Sequence, residues 1–262
     1  MGPVPQTPAE PEPQVEDSFD RLVDEGRSRL ARPLLTQVGT GLLGGIDIGT
    51  GLLAYLVVEH QTGNALLASL AFGIGFVALL LAHSELFTEN FLVPVAALAA
   101  RAGTVRQLLV LWAVSLVANL AAGWVVTWLI VLARPDLAQT AVEAARHYAQ
   151  LPVDVHSLAL AVLAGLVITL LTRMQHATDS LGVKLVPALL FGALLVGAQL
   201  FHSVLDSMLV FTGIHYGAEY GYLDWLPRLG WSVLGNLLGG VGLVTAIRLL
   251  RARHRVADAQ PD

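Results

Sequence analysis

The chain has 262 residues, 55% of them hydrophobic and only 13% charged, and its mean hydropathy is +0.66. A soluble domain carries about 25% charged residues, so this composition excludes an ordinary soluble protein and points to one that crosses a membrane several times. The net charge of −5 reflects acids crowded into the first 25 residues, and zero cysteines exclude disulfide and cysteine-based metal frameworks.

Residues 1–33 are rich in Pro and acids and lack the apolar core of a secretory leader, so no cleaved signal peptide is expected. They predict a disordered tail that ends in a short amphipathic helix, Phe19 to Leu30, lying along the membrane surface. Residues 34–251 predict the membrane domain. A crossing needs about 20 apolar residues, and six stretches qualify: 35–58, 64–100, 106–133, 155–172, 185–214 and 229–250. The second and fifth are too long for one straight crossing, and each holds a polar interruption, "HSELFTENF" (83–91) and "FHSVLDS" (201–207). An acid near the bilayer centre costs roughly 2.5–3.5 kcal/mol. Each of these spans therefore reads as a half-helix, a polar loop and a second half-helix. Such backbone survives at membrane depth only where protein or a water-filled path surrounds it. The basic C-terminal segment "RLLRARHRVADAQPD" (248–262) suits lipid headgroups better than nucleic acid.

Six crossings put both termini on one side, and the cations say which. With the N-terminus inside, the inner segments hold Arg21, Arg27, Arg29, Arg32, Arg101, Arg106, Arg173, Lys184, Arg248, Arg251, Arg253 and Arg255. The outer ones hold only Arg134, Arg146 and Arg228. This is the positive-inside asymmetry, and it predicts cytoplasmic termini in an inner or plasma membrane.

A repeat is also visible. "ANLAAG" (118–123) in the third span resembles "GNLLGG" (235–240) in the sixth, so Asn119 and Asn236 stand 117 residues apart. That offset carries Glu85 onto His202, Glu89 onto Asp206 and the first span onto the fourth. Three spans per half give the halves opposite topology, the inverted-repeat plan with a site where two discontinuous helices meet at mid-membrane.

Four places in the chain resemble the formate/nitrite transporter family: the Gly-rich first span, "GTGLLGGIDIGTGLL"; "SELFTEN" (84–90); "HSVLDSM" (202–208); and "GNLLGG" (235–240). The resemblance covers roughly residues 35–250. It implies an all-α, aquaporin-like protomer assembled into a homopentamer, each protomer passing small monovalent anions or their weak acids, such as formate, nitrite or hydrosulfide. It makes His202 the central pore histidine, beside the loop residues Leu86, Phe87 and Thr88, with Thr88 able to hydrogen-bond it. The chain also departs from the family pattern. Phe201 stands where a Glu commonly precedes the histidine, and Asp206 where an Asn follows it. Asp154 and His156 stand near the start of the fourth span instead of a basic residue, and Asp47 lies in the first span.

Ionisable groups inside a membrane are functional candidates by default. His202 has an ordinary pKa near 6.5, and it is expected to attract an anion or to give a weak acid its proton. Glu85 and Glu89 read as loop scaffolding that accepts hydrogen bonds from the second half-helix, and Asp206 reads as scaffolding or pore wall. Leu86 and Phe201, at the two breaks, are the expected apolar constrictions. Asp47 calls for a partner, with His202 and His83 as candidates. The glycines of the first span, including the pairs Gly41/Gly45 and Gly45/Gly49, predict close helix packing. Trp225 and Trp231 read as a membrane-edge belt. No cofactor, metal or nucleophile pattern appears, so an enzyme is not expected. The alternatives to an anion pore are a water or polyol pore of the same fold and a non-transporting membrane partner or sensor.

Overall fold

The computed structural model describes residues 13–251, which form helices and their connections. Residues 1–12 of the predicted disordered tail, and the predicted headgroup-facing segment from 252 onward, lie outside the described residues. The elements are α1 (Pro13–Ala31), α2 (Leu34–Thr62), α3 (Ala65–Ala82), a 3₁₀ turn (Phe87–Phe91), α4 (Val93–Ala99), α5 (Val105–Ala133), α6 (Ala138–Gln150), α7 (Val155–Gln175), α8 (Leu181–Gly197), α9 (Ser203–His215) and α10 (Tyr222–Leu237). Helix α10 runs through a π-helical stretch, Leu238–Thr245, into α11 (Ala246–Arg251). Five helices are long and apolar enough to cross a membrane: Leu34–Thr62, Ala65–Ala82, Val105–Ala133, Val155–Gln175 and Tyr222–Leu250. The fifth predicted span is the pair of shorter helices α8 and α9.

Both breaks are built the same way. Helix α3 stops at His83, whose φ of 53° is left-handed, and α8 stops before Gln199, with φ of 49°. Left-handed residues commonly end helices because they let the next N–H groups turn back onto the last carbonyls. Accordingly Ser84 N–H donates to Leu79 O at 3.3 Å, and Leu200 N–H donates to Leu195 O at 3.1 Å. The next residue of each loop is tied to a neighbouring helix: Glu85 N–H to Thr40 O and Phe201 N–H to Leu160 O, both at 3.4 Å.

These pairings correct the register read from sequence. In the breaks the matching residues are 116 apart, so Glu85 corresponds to Phe201 and Leu86 to His202, not Glu85 to His202. The first spans match at 120, since Thr40 and Leu160 play one role. Beyond the breaks the offset of 117 holds. Gly123 of α5 faces Met208 of α9, and Gly240 of the π stretch faces Phe91. Each half thus lays its returning segment on the last helix of the other half. The second repeat carries one extra residue in the first turn after its break, which a single motif-to-motif offset hides.

Glycines set the approach distances. A Cβ on Gly45 would lie 2.5 Å from the carbonyl oxygen of Asn119, and one on Gly165 would lie 2.1 Å from that of Asn236. Gly41 and Gly49 meet Ala118 and Val126 of the same α5 face, so the glycine stripe of α2 is a packing seam. Gly39 meets nothing within 4 Å.

Two segments differ from the sequence expectation. The amphipathic N-terminal helix does not lay its apolar face on lipid: Phe19 and Leu22 are buried against Leu92, Val93 and Ala96 around α4. Helix α6, too short and polar for a crossing, packs Ala141, Ala145 and Tyr148 inward, with α9 as its main neighbour. The indole N–H groups of Trp225 and Trp231 turn into the protein, donating to Ser207 Oγ at 2.8 Å and Asp154 O at 3.1 Å.

Candidate functional site

Each break exposes backbone groups that no helix satisfies, and one buried Asn satisfies them in each half. Phe87 N–H donates to Asn119 Oδ1 at 2.8 Å, while Asn119 Nδ2 donates to Gly41 O at 2.7 Å and Glu85 O at 3.0 Å. In the other half Ser203 N–H donates to Asn236 Oδ1 at 3.0 Å, and Asn236 Nδ2 donates to Ala161 O and Phe201 O, both at 2.9 Å. Only a primary amide offers an acceptor and two donors on one short stem. Asn119 and Asn236 are therefore brackets for the breaks, and neither reaches a solute path except through the loop it holds.

The acids divide by role. Glu89 Oε2 accepts Leu86 N–H at 3.2 Å, and Asp206 Oδ2 accepts His202 N–H at 2.6 Å. These are the same scaffold contact in the two repeats, each made to a loop N–H just ahead of the returning segment. Glu85 does something else: it pairs with Arg29 of α1 at 3.3 Å and with Arg32, the residue just past its end. Asp47 accepts the Ser84 hydroxyl rather than pairing with His202 or His83.

The centre of the site joins the halves. His202 is the N-cap of α9, and its Nδ1 accepts Val204 N–H at 3.3 Å and Leu205 N–H at 3.2 Å. With Nδ1 occupied as an acceptor, the ring proton sits on Nε2, which lies 2.9 Å from Thr88 Oγ1 and donates to it. Thr88 and His202 are both buried, as are Leu86, Phe87 and Phe201 around the breaks.

The arginines of α1 were visible in sequence only as inward positive charge. Arg29 also donates to Glu25 and, at 3.1 Å, to Asn90 Oδ1, while Glu25 Oε2 accepts a hydrogen bond from His176 Nε2 at 2.8 Å. Arg29, Glu25 and His176, together with Lys184 and His83, line a cleft of about 370 Å³ on the α1 side of the first break. No helical period marks Arg29 as a partner of residue 85, because the contact depends on how α1 docks.

Burial alone would raise the Glu25 carboxyl. The His176 hydrogen bond first, then the Arg29 charge, outweigh it and hold the pKa down to about 2, against an ordinary 4.5. A depressed carboxylate stabilises docking above its ordinary pKa and loses that contribution as pH falls through the folded value. Acidification between 4.5 and about 2 should therefore loosen α1, read as rising hydrogen exchange over residues 19–31. A profile left unshifted by Glu25→Gln would overturn the assignment.

Among the described residues no group of three or more His, Asp or Glu is placed to hold a metal ion. The family model described as formate/nitrite transporter matches residues 16–250. The inner membrane protein YfdC of Escherichia coli (strain K12) is 24% identical over 255 residues, spanning 91% of this chain and 79% of that protein. A solved structure described as an FNT family ion channel superposes with a TM-score of 0.83 at 18% identity, covering 90% of this chain and 99% of the other. A pentameric formate channel with formate bound superposes at 0.70 and 22%, covering 84% and 98%. A fold of apolar helices with two mirrored breaks, and a family match over nearly its whole length, make this a membrane transport protein and not an enzyme: the chain belongs to the formate/nitrite transporter family.

Proposed function

We propose that the chain is a membrane pore for a small monovalent anion or its weak acid, formate-like in size, whose narrow point is the Thr88–His202 pair. The reading includes a homopentamer, after the pentameric formate channel of similar fold, and cytoplasmic termini, after the distribution of arginines. The observation that carries it is the 2.9 Å contact between Thr88 Oγ1 and His202 Nε2, made by residues from two separate breaks. At that point the protein offers N–H and O–H donors inside an apolar ring of Leu86, Phe87 and Phe201, which suits an anion shedding water better than a cation. The cleft on the α1 side sets Arg29, Arg32 and Lys184 against Glu25, Glu85 and Glu89, so it opens that side to a small polar solute without a net charge of its own from these residues.

The capping geometry changes the role expected for His202. Protonating Nδ1 would set a new donor against the N–H groups of Val204 and Leu205, so the ring serves as a fixed Nε2–H donor and not as a charge switch. His202→Asn keeps a capping acceptor but loses the donor at Thr88. A hydrogen bond to a charged group contributes about 1.5–3 kcal/mol, so formate uptake by liposomes should fall about tenfold or more. Unchanged uptake would overturn the proposed narrow point. Uptake of formate, nitrite, hydrosulfide and glycerol at two pH values tests the wider reading. Glycerol swelling without anion uptake would favour a neutral-solute pore, and no flux of any kind would end the pore reading.

A further inference from the structure

If the imidazole is fixed in one form, a pH-dependent step needs another group, and the structure holds one beside it. Asp206 uses Oδ2 to accept His202 N–H, and among the described residues its Oδ1 has no hydrogen-bond partner although the residue is 97% buried by the 3% it exposes. Ser203, one turn earlier on α9, is equally buried, and its Oγ is also without a partner. Two orphaned polar atoms in one apolar interior are costly, on the order of 1–3 kcal/mol each. Both residues line one narrow cavity between α6, α9 and α10, with Tyr148, Arg228 and Ser232 on its other walls. The cavity measures about 10 Å³, the room one water needs when two or more polar groups hold it. It is too small for formate.

We propose that this cavity is a water site, in which one water bridges Asp206 Oδ1 and Ser203 Oγ, and that the Asp206–water pair is the proton-exchanging station of the pathway. The proposal rests on the pore reading above. In the protonated state the carboxyl O–H donates to the water. On release the carboxyl O–H bond breaks, the water passes on one of its own protons as it takes that one up, and a weak-acid anion gains an O–H bond. No electrons are exchanged, and a hydronium ion from solvent restores the acid by the reverse route. Releasing the solute as a neutral molecule removes the cost of carrying a charge past an apolar ring.

The groups facing this station are few. His202 precedes it on α9, Tyr148 faces it from α6, and Arg228 faces it from α10. Helix α2 adds Tyr55, within electrostatic reach of Tyr148. Helix α5 brings no ionisable side chain there, its one charged residue being Arg106 in its first turn. Arg228 is engaged by carbonyls, donating to Leu151 O at 2.9 Å and Asp224 O at 2.7 Å, so no group is paired with Oδ1.

The test is Asp206→Asn in the full-length protein reconstituted in liposomes. The amide oxygen still accepts His202 N–H, but the group no longer titrates. Wild-type formate uptake should change with external pH by up to about tenfold per unit, as for one required proton, and the variant should flatten that slope to below about twofold per unit. Infrared difference spectra of the wild type over the same pH range should show a carboxylic C=O band that the variant lacks. Should the variant fail to fold, Ser203→Ala removes the second anchor of the water without touching the cap, and should shift the band. An unshifted band in Ser203→Ala, or an unaltered pH slope in Asp206→Asn, overturns the proposal while leaving the pore reading intact. A wild type that moves no anion overturns the pore reading itself.

Discussion

Asn236→Leu is expected to lower the thermal midpoint of the detergent-solubilised protein by on the order of 10 °C, the largest loss from any single uncharged side chain here. The substitution keeps the four-atom, γ-branched skeleton and removes three buried hydrogen bonds, to Ser203 N–H, Ala161 O and Phe201 O. Hydrogen bonds between side chains in membrane proteins average only about 0.6 kcal/mol, because the separated helices find other partners. That discount does not apply at a break. Ser203 N–H and Phe201 O belong to backbone that no helix satisfies, so each is left orphaned at about 1–3 kcal/mol. The sum is about 2–6 kcal/mol, and each kcal/mol moves the midpoint of a domain this size by roughly 2–4 °C. Asn236→Asp should be at least as harmful, since it keeps the acceptor for Ser203 N–H but sets carboxylate charge against two carbonyl oxygens. Asn119→Leu should reproduce the loss in the other half. A midpoint for Asn236→Leu within about 2 °C of wild type would show that the amide is not what holds the break.

How far this architecture was legible follows from which interactions are periodic. The long crossings announce themselves because about 20 apolar residues have few other uses. The breaks announce themselves because Glu85 and Glu89 are too costly in an unbroken helix. The repeat was found through the Asn motif, and that motif turns out to be the bracket of each break. Its exact register was not legible: one extra residue after the second break shifts the loop pairing from 117 to 116, and the loop sequences are too different to show it. Helix α6 escaped because it is amphipathic and short, a pattern that a search for crossings passes over. The partners of Glu85 escaped for another reason. Arg29 and Arg32 lie 56 and 53 positions before Glu85, on and just past a helix whose apolar face fits a membrane surface as well as it fits α4. Only docking distinguishes the two.

That docking supplies the second large effect. Arg29→Leu should destabilise the protein by about 3–5 kcal/mol, the usual cost of breaking a buried ion pair from one side. Arg29 is only 11% exposed as a side chain and serves Glu25, Glu85 and Asn90 together. Burial alone would lower its pKa, but the charges of Glu85, then Glu25 and Glu89, raise it above its ordinary value, so the guanidinium is charged at any working pH. Its loss falls unevenly on the partners. Glu25 keeps His176 and Glu85 keeps Arg32, while Asn90 Oδ1 loses the guanidinium N–H. Glu85→Leu alone should be comparably harmful, because it takes from Arg29 and Arg32 the one carboxylate that both of them contact. The double variant Arg29→Leu/Glu85→Leu removes charge of both signs, and a buried pair replaced by apolar groups is often near neutral. Its cost should therefore fall short of the sum of the single costs by more than about 1 kcal/mol, the range found for directly contacting residues. Thermal midpoints of the four proteins close this cycle. Additive losses would mean that α1 is held by its apolar face alone and that the ion pair at the first break contributes nothing of its own.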